Sequence, residues 1–325
     1  AKYYRYINKH SRKTADSDEQ ILRRQDAIIS GNKITTQIWN YGSISEPGNR
    51  VTDIIWEGLG YGYEFGPFIS AEVPLMNNNH PDAYPKVIDG DTTWYARVIS
   101  DGLVTDPERS PDGSEYWTWE PLAYSDEGLF FADPDYDKIP TASDIDRDFD
   151  GKPDSWASDW YNPNLKEYVW PGDLRQGASN ADEEAFFVCD DRNNKEFEYY
   201  PFPDDSSRKG LGIQIEYRYY QWANPLAEDI IFLIYKITNK SPKDLENVIF
   251  GMWGDPHIGG PSDWSDDLSY FDQEINMVYC WDEDGSASGS ANRPGYFGYK
   301  FLESPGNPYD QLDNDSDGMI DESRS

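Results

Sequence analysis

Residues 212–222 alternate between apolar and polar side chains with a period of two. The apolar positions are Ile213, Ile215, Tyr217 and Tyr219. Such alternation is typical of an antiparallel strand that turns one face to a core and the other towards solvent. It predicts a sheet with two unlike faces, and the apolar face of such a sheet must be buried against another layer.

Other short runs rich in β-branched and aromatic residues predict further strands, separated by clusters of Gly, Pro and Asn. They cover residues 33–41, 51–57, 65–75, 92–100, 229–239, 245–253, 275–281 and 296–302. Residues 229–239 are apolar on both faces at their start, which predicts a central strand, and the following turn predicts a hairpin with 245–253. One modest helix is predicted at 18–29. We therefore predict an all-β chain of β-sandwich domains with long Asp-rich loops.

The charge of the chain narrows its possible partners. Acidic residues outnumber basic residues by 61 to 28, giving a formal net charge of −33. Nucleic acid and anionic membranes would repel such a chain. An aromatic content of 15% argues against a disordered acidic chain. Of the acidic residues, 40 are Asp, whose short carboxylate suits turns and hard-cation loops. A folded protein that lives in high salt, or that offsets its carboxylates with cations, is predicted.

Two nine-residue stretches share the pattern D-x-D-x-D-G-x-x-D. Their carboxylates are Asp146, Asp148, Asp150 and Asp154 in the first, and Asp313, Asp315, Asp317 and Asp321 in the second. Carboxylates at positions one, three and five project to one side of a tight loop, and Gly at position six permits the turn. The carbonyl at position seven, from Lys152 or Met319, adds an oxygen. We predict Ca²⁺ as the cofactor, since Mg²⁺ resists dehydration and prefers few protein ligands.

Neither stretch is a complete EF-hand. Ala157 and Arg324 stand at position twelve, where a bidentate Glu would be needed. The pattern resembles the calcium loops of thrombospondin type 3 repeats and dockerins, and this resemblance implies an ion that holds together a segment with little core. A solvated acidic turn is the alternative interpretation.

A further acidic group follows the predicted hairpin. It contains Asp255, His257, Asp263, Asp266, Asp267 and Asp272. We predict a third calcium site here, with Asp255, Asp267 and Asp272 as ligands; plain loop acidity is the competing interpretation. The chain has three His and no Cys near this group, so a tetrahedral zinc site is disfavoured. The run 281–285 is predicted to close a strand into a turn and is a further candidate for metal contact.

These loops suggest how the chain is divided. Residues 101–163 have few strand signals, so we expect something other than a core to organise them. We predict an N-terminal β-rich domain (1–142), a calcium-binding segment (143–160), a β-sandwich domain (161–309) and the start of a further calcium-loop segment (310–325). The chain begins without an apolar leader and ends within a motif, so we expect a processed fragment of a longer protein. The spacing of Cys189 and Cys280 leaves open a disulfide or two buried thiols.

Four stretches carry a resemblance to a family. They are residues 40–43 (NYGS), 49–66 (NRVTDIIWEGLGYGYEFG), 237–241 (ITNKS) and 310–322 (DQLDNDSDGMIDE). Together they resemble large, secreted, poorly characterised bacterial surface proteins, which often carry a C-terminal sorting domain of the type IX secretion kind. The resemblance implies an extracellular or cell-surface location and calcium binding, and it supplies no catalytic residues.

These patterns predict a calcium-stabilised extracellular protein, a structural or adhesive part of a cell surface, filament or matrix. Its expected partners are copies of itself or other surface and matrix proteins, without membrane insertion. The alternative is a secreted carbohydrate-binding or glycoside-hydrolysing module, because the many aromatic rings could stack on glycans. A hydrolase needs two carboxylates at a fixed separation. No pattern singles out such a pair, so catalytic activity stays open and no catalytic residue is predicted.

Overall fold

Antiparallel strands form almost all of the regular secondary structure of the described residues. A computed structural model describes residues 24–45, 51–102, 109–122, 139–287, 290–300 and 302. In these ranges it forms β1 (Asp26–Ile29), β2 (Ile34–Trp39), β3 (Ile44–Ser45), β4 (Ile54–Trp56), β5 (Leu59–Leu75), β6 (Tyr84–Ile88), β7 (Asp91–Asp101), β8 (Glu120–Leu122), β9 (Tyr161–Asn162), β10 (Glu167–Tyr168), β11 (Glu183–Asp190), β12 (Ile213–Gln221), β13 (Ile231–Asn239), β14 (Glu246–Pro256), β15 (Asp267–Asp272), β16 (Met277–Asp282) and β17 (Phe297–Lys300). Two single-turn 3₁₀ helices span Ser158–Trp160 and Trp264–Asp266. The all-β prediction is confirmed.

The strands form four sheets. The largest has the order β1-β2-β3-β5-β7-β6; in addition, β4 pairs with β2 and β5, and β14 pairs with β5. A four-stranded sheet has the order β13-β12-β11-β8, a three-stranded sheet the order β15-β16-β17, and β9 pairs with β10. The 17-residue β5 is the organising strand, since it pairs with β3, β4, β7 and β14.

The eight-stranded and four-stranded sheets pack as a sandwich around one core. Ile69 and Val73 from β5 share this core with Phe187 from β11 and Tyr217 from β12. The rings of Phe187 and Tyr217 stack at a centroid distance of 4.4 Å. All four apolar positions of the alternating segment 212–222 are buried in this core. Each such side chain contributes roughly 1.5–3 kcal/mol by leaving water.

Two predictions about strand neighbours were wrong. β13 is the edge strand of the four-stranded sheet, and its Phe232 and Ile234 side chains are exposed. β14 does not pair with it; the turn between them carries the chain to the other sheet, where β14 pairs with β5. Periodicity reports which faces are apolar, but the partner of a strand is chosen by long-range packing. Strands from both sides of segment 143–160 therefore share one sheet and one core.

The predicted helix at 18–29 is wrong where the structure describes it. Asp26–Ile29 forms β1 and pairs with β2, while residues 18–23 lie outside the described residues. Ala27 and Ile29 alternate into the sandwich core. Burial against β2 overrides the weak helical pattern of this short segment.

Aromatic residues also organise the Asp-rich segment, which was not expected to have a core. Trp156 and Trp170 pack on Phe186 and Val188, which alternate with the core residue Phe187 along β11. The rings of Trp156 and Trp170 lie 5.4 Å apart. The segment thus covers the outer face of the four-stranded sheet with a small aromatic core of its own.

Both cysteines are free thiols, and both are buried. The Cys189 thiol lies 3.5 Å from the hydroxyl of Tyr217 in the sandwich core, and Cys280 lies in β16. Of the two alternatives that the sequence left open, a disulfide or two buried thiols, the structure has the two buried thiols. No helix among the described residues is long and apolar enough to cross a membrane.

Candidate metal centres

The first Asp-rich loop brings three of its predicted ligands together. Carboxylate oxygens of Asp146, Asp148 and Asp154 all lie within 4.8 Å of one another. Asp150 is not in this carboxylate group; its carboxylate accepts a hydrogen bond from the backbone N–H of Lys152 at 2.8 Å. The other predicted loop, with Asp313, Asp315, Asp317, Met319 and Asp321, lies outside the described residues.

Backbone N–H groups of the loop hold the carboxylates of Asp146 and Asp148. The Asp150 N–H lies 3.1 Å from an oxygen of Asp146 and 3.1 Å from an oxygen of Asp148. The Gly151 N–H donates to the second oxygen of Asp146 at 2.9 Å. Gly151 has φ +93°, a conformation that costs a glycine little and other residues much. The glycine at position six therefore allows the turn that gathers the carboxylates.

Arg147 supplies a positive charge inside the same loop. Its guanidinium donates to Asp154 at 2.8 Å and to Asp144 at 2.7 Å, and its backbone N–H donates to Asp154 at 3.0 Å. Burial raises the pKa of Asp154, but the hydrogen bonds from Arg147 outweigh it and hold the pKa below its usual value. Asp154 is thus a carboxylate at neutral pH, and a bound cation would share it with Arg147.

The donor set of this loop fits a hard cation. All three groups are carboxylates, and two ligand oxygens on opposite sides of a Ca²⁺ ion are about 4.8 Å apart, since Ca–O distances are about 2.4 Å. Mg²⁺ requires a smaller and more regular octahedron. Asp146, Asp148 and Asp154 would hold the ion, and its chemistry there would be electrostatic cross-linking of the loop.

A second carboxylate group lies where the three-stranded sheet meets the end of β14. Oxygens of Asp263, Asp266 and Asp282 lie within 4.8 Å of one another. Asp263 and Asp266 flank the 3₁₀ helix Trp264–Asp266, and Asp282 ends β16. Asp282 belongs to the run 281–285, the weaker of the sequence-based candidates.

The ligands predicted for this region, Asp255, Asp267 and Asp272, are not the residues that form this group. Asp255 pairs with Glu64 in the β5–β14 ladder, and Asp272 accepts a hydrogen bond from the Glu274 N–H at the far end of β15. Neither is in the group. Asp267 lies directly opposite Asp282 in the β15–β16 ladder. The sequence indicated Asp282 only as part of the run 281–285 and did not join it to Asp266, because the two lie 16 residues apart along the chain and meet only through strand register.

The electrostatics of the second group are unfavourable in the protein alone. Asp282 is 6% exposed, and its Oδ2 is buried without a hydrogen-bond partner among the described residues; the same holds for Oδ1 of Asp267. Burial raises the pKa of Asp267 to about 6; the hydrogen bond from the Ile258 N–H opposes this increase, whereas the charge of Asp282 adds to it. Burial likewise raises the pKa of Asp282. The two like charges raise each other's electrostatic energy in this partly desolvated place.

A glycine-lined contact positions the chain beside this second group. The Gly259 N–H donates to the Gly60 carbonyl at 3.0 Å, and Asp53, fully buried, faces the His257 imidazole at 3.0 Å. A Cβ at Gly60 would lie 2.7 Å from the Cα of Gly260 and 2.5 Å from Asp53 Oδ2. The start of β5 and the loop after β14 can approach this closely only because both are glycine here.

Gly60→Ala is therefore expected to lower the free energy of unfolding by ~1–3 kcal/mol through overpacking. Urea denaturation measures it. Gly295→Ala is the matched control, since the nearest atom to its Cβ would be the Tyr61 hydroxyl at 3.7 Å. Equal free energies of unfolding of the two variants would show that the contact between β5 and the loop after β14 accommodates the added methyl group without loss of stability.

Comparison of the chain with protein-family models, with curated proteins and with solved structures finds no match.

Proposed function

We propose that this protein is a calcium-stabilised extracellular component of a cell surface, filament or matrix, with a structural or adhesive role. The observation that carries the proposal is the convergence of Asp146, Asp148 and Asp154 in a loop with all-oxygen donors. A formal net charge of −33 supports it, because bound divalent cations would relieve the self-repulsion of the folded chain.

The position of the loop supports a structural role for the ion. The indole N–H of Trp156, two residues after Asp154, donates to the Thr141 carbonyl at 2.8 Å. Thr141 forms a β-bridge with Ala185 of β11. An ion that closes the loop would therefore fix the aromatic cluster of Trp156 and Trp170 on the outer face of the four-stranded sheet.

The exposure of the loop supports an extracellular setting. Asp148 is exposed and Asp146 is half-buried, and the Asp154 side chain, which is buried, is already paired with Arg147. Such a site binds calcium weakly. Extracellular calcium modules work at dissociation constants of about 10⁻⁴–10⁻³ M, whereas cytosolic sites bind far more tightly. The resemblance to secreted surface proteins points the same way.

Removal of calcium is expected to destabilise the protein and to open 143–160 to protease. At a free calcium concentration about 100 times the dissociation constant, one site contributes ~2.7 kcal/mol. Thermal unfolding and limited proteolysis with calcium and with EDTA measure both effects. Asp148→Asn should abolish most of the protection of 143–160, whereas Asp204→Asn, at an exposed position, should not. Identical digestion in both buffers would refute the loop site.

A carbohydrate-binding role is the second candidate, and an aromatic surface favours it. The surface consists of Tyr270, Tyr279 and Trp281 on the three-stranded sheet and of Tyr296, the residue before β17. Tyr279 lies 5.8 Å from Tyr270 and 5.7 Å from Trp281, and Trp281 lies 5.9 Å from Tyr296 between ring centroids. Tyr270 and Tyr296 are exposed. Exposed rings of this kind offer apolar faces on which sugar rings can stack.

A glycan array and an assembly assay separate the two candidates. Self-association that needs calcium, without retention of any glycan, supports the structural role. Specific glycan retention that is lost in Tyr296→Ala supports the carbohydrate-binding role instead. Tyr161→Ala, which removes an exposed ring far along the chain, is the control.

A further inference from the structure

Asp263, Asp266 and Asp282 come from two parts of the chain that only the fold unites. The first two flank the 3₁₀ helix after β14, and the third ends β16. Asp263 is the N-cap residue of that helix, yet its side chain makes no capping hydrogen bond. Its carboxylate instead lies within 4.8 Å of the carboxylates of Asp266 and Asp282.

The burial of Asp282 is a separate observation that points to a ligand. This side chain is 6% exposed, and a carboxylate with an unpartnered buried oxygen is costly. Its Oδ1 accepts the Ser286 N–H at 3.0 Å, but Oδ2 has no hydrogen-bond partner in the described part of the chain.

The strand register adds a second unfavourable contact. Asp267 lies directly opposite Asp282 in an antiparallel pair, where like charges destabilise a sheet. Oδ1 of Asp267 is buried and unpartnered as well. A cation at this place would satisfy the free oxygen of Asp282 and neutralise the repulsion between the two strands.

We propose that Asp263, Asp266 and Asp282 form a second divalent-cation site, with Ca²⁺ as the ion, beside the Asp267 carboxylate. The donors are all carboxylate oxygens, the ligands of hard cations. Calcium accepts irregular oxygen cages, whereas magnesium demands a near-ideal octahedron. Zinc is a poor match because it prefers nitrogen and sulfur ligands, and the Nδ1 of the nearby His257 faces Asp53.

The ion would connect the three-stranded sheet to the sandwich. Beside β16 lies a small core of Leu59, Tyr61, Ile258, Cys280 and Ala287, whereas Phe297 and Tyr299 of β17 pack against the sandwich core. A cross-link from the 3₁₀ helix to the end of β16 would stabilise the β16 side of this junction, where apolar burial is limited. The site shares no residue with the Asp146 loop, so either site can exist without the other.

Calcium titration of the full chain by calorimetry tests the site. Asp282→Asn and Asp263→Asn should each remove one bound calcium or weaken it at least about tenfold, since loss of even an outer-shell partner costs about 10–100-fold at metal sites. Glu283→Gln, an exposed neighbour with the same charge change, should bind like the wild type. Asp148→Asn should remove the calcium of the Asp146 loop and leave this second site intact. If the loop binds no calcium, only the result for Asp148→Asn changes.

Thermal unfolding of the same variants gives a second, independent readout. Without calcium, Asp282→Asn should melt at the same temperature as the wild type or higher, because it removes the repulsion with Asp267. With calcium, Asp282→Asn should melt at a lower temperature than the wild type, because only the wild type is stabilised by an ion at this site. Equal calcium stoichiometry and affinity in the wild type, Asp282→Asn and Asp263→Asn would overturn the proposal. A melting shift of the same sign and size in both buffers would overturn it too, because that result indicates a purely structural aspartate.

Discussion

Asp191→Ala is expected to lower the free energy of unfolding by ~3–5 kcal/mol. Asp191 is fully buried just after β11. Its carboxylate accepts the N–H groups of Leu211 at 2.5 Å, Gly212 at 3.1 Å and Ile213 at 3.0 Å. It thereby holds the start of β12 against the end of β11. Each buried N–H left without a partner costs ~1–3 kcal/mol, and urea denaturation at neutral pH measures the total.

Asp191→Asn separates hydrogen bonding from charge. The amide oxygen can still serve two N–H donors, but the amide N–H₂ would face the third. We therefore expect a smaller loss of ~1–3 kcal/mol. Asp204→Ala, at an exposed position, should change stability by less than ~0.5 kcal/mol. A loss in Asp191→Ala no larger than in this control would contradict the assigned role.

The same variant predicts a pH effect. Burial raises the pKa of Asp191 to about 7, against the opposing effect of its N–H donors, whereas an unfolded Asp titrates near ~3.9. The folded state therefore holds the proton more tightly. The resulting stabilisation is fully present below about pH 4 and is lost as the pH rises through about 7. In calcium-free buffer, the free energy of unfolding between about pH 4 and about pH 7 should fall less steeply in Asp191→Asn than in the wild type. Equal slopes in the two proteins would contradict this.

Glu184→Ala is expected to cost ~2–4 kcal/mol, because it removes the buried counter-charge of the Arg218 guanidinium and leaves only the partly exposed Glu216, whose carboxylate lies 3.3 Å from Arg218 Nε. Arg218 donates to Glu184 at 2.6 Å, and their side chains are 8% and 1% exposed. Arg218 also donates to the Pro171 carbonyl at 2.8 Å and lies 4.2 Å from the ring centroid of Phe186. The substitution should therefore also weaken the packing of the aromatic cluster on the outer face of the four-stranded sheet. Thermal unfolding measures the loss of stability, and Trp fluorescence measures the change in packing.

Two comparisons test this explanation. The double variant Glu184→Leu with Arg218→Met should recover most of the loss, because apolar replacements of a buried ion pair are often neutral. Lys33→Ala breaks an ion pair with Glu228 at 2.8 Å, whose side chains are 39% and 29% exposed. It should leave the free energy of unfolding close to that of the wild type, because exposed ion pairs contribute little. Similar costs for the buried and the exposed pair would refute the argument from burial.

Part of the candidate sites could be predicted because it is local. Asp146, Asp148 and Asp154 lie within nine residues, and a glycine with positive φ between them folds the loop on itself. Short-range geometry thus brings together three of the predicted ligands. The counter-charge of Arg147 was not anticipated, since the pattern does not show which way the side chain between two carboxylates turns.

The strand type and the buried face of β12 could be predicted from the residues alone, because the pleat of a single strand imposes a period of two. The same holds for the loop around Gly151. Three-dimensional packing sets the pairing of β14 with β5, the approach of Asp282 to Asp263 and Asp266, and the burial of Asp191 and Glu184. These outcomes depend on which strands become neighbours and in which register, and long-range packing of whole sheets sets both.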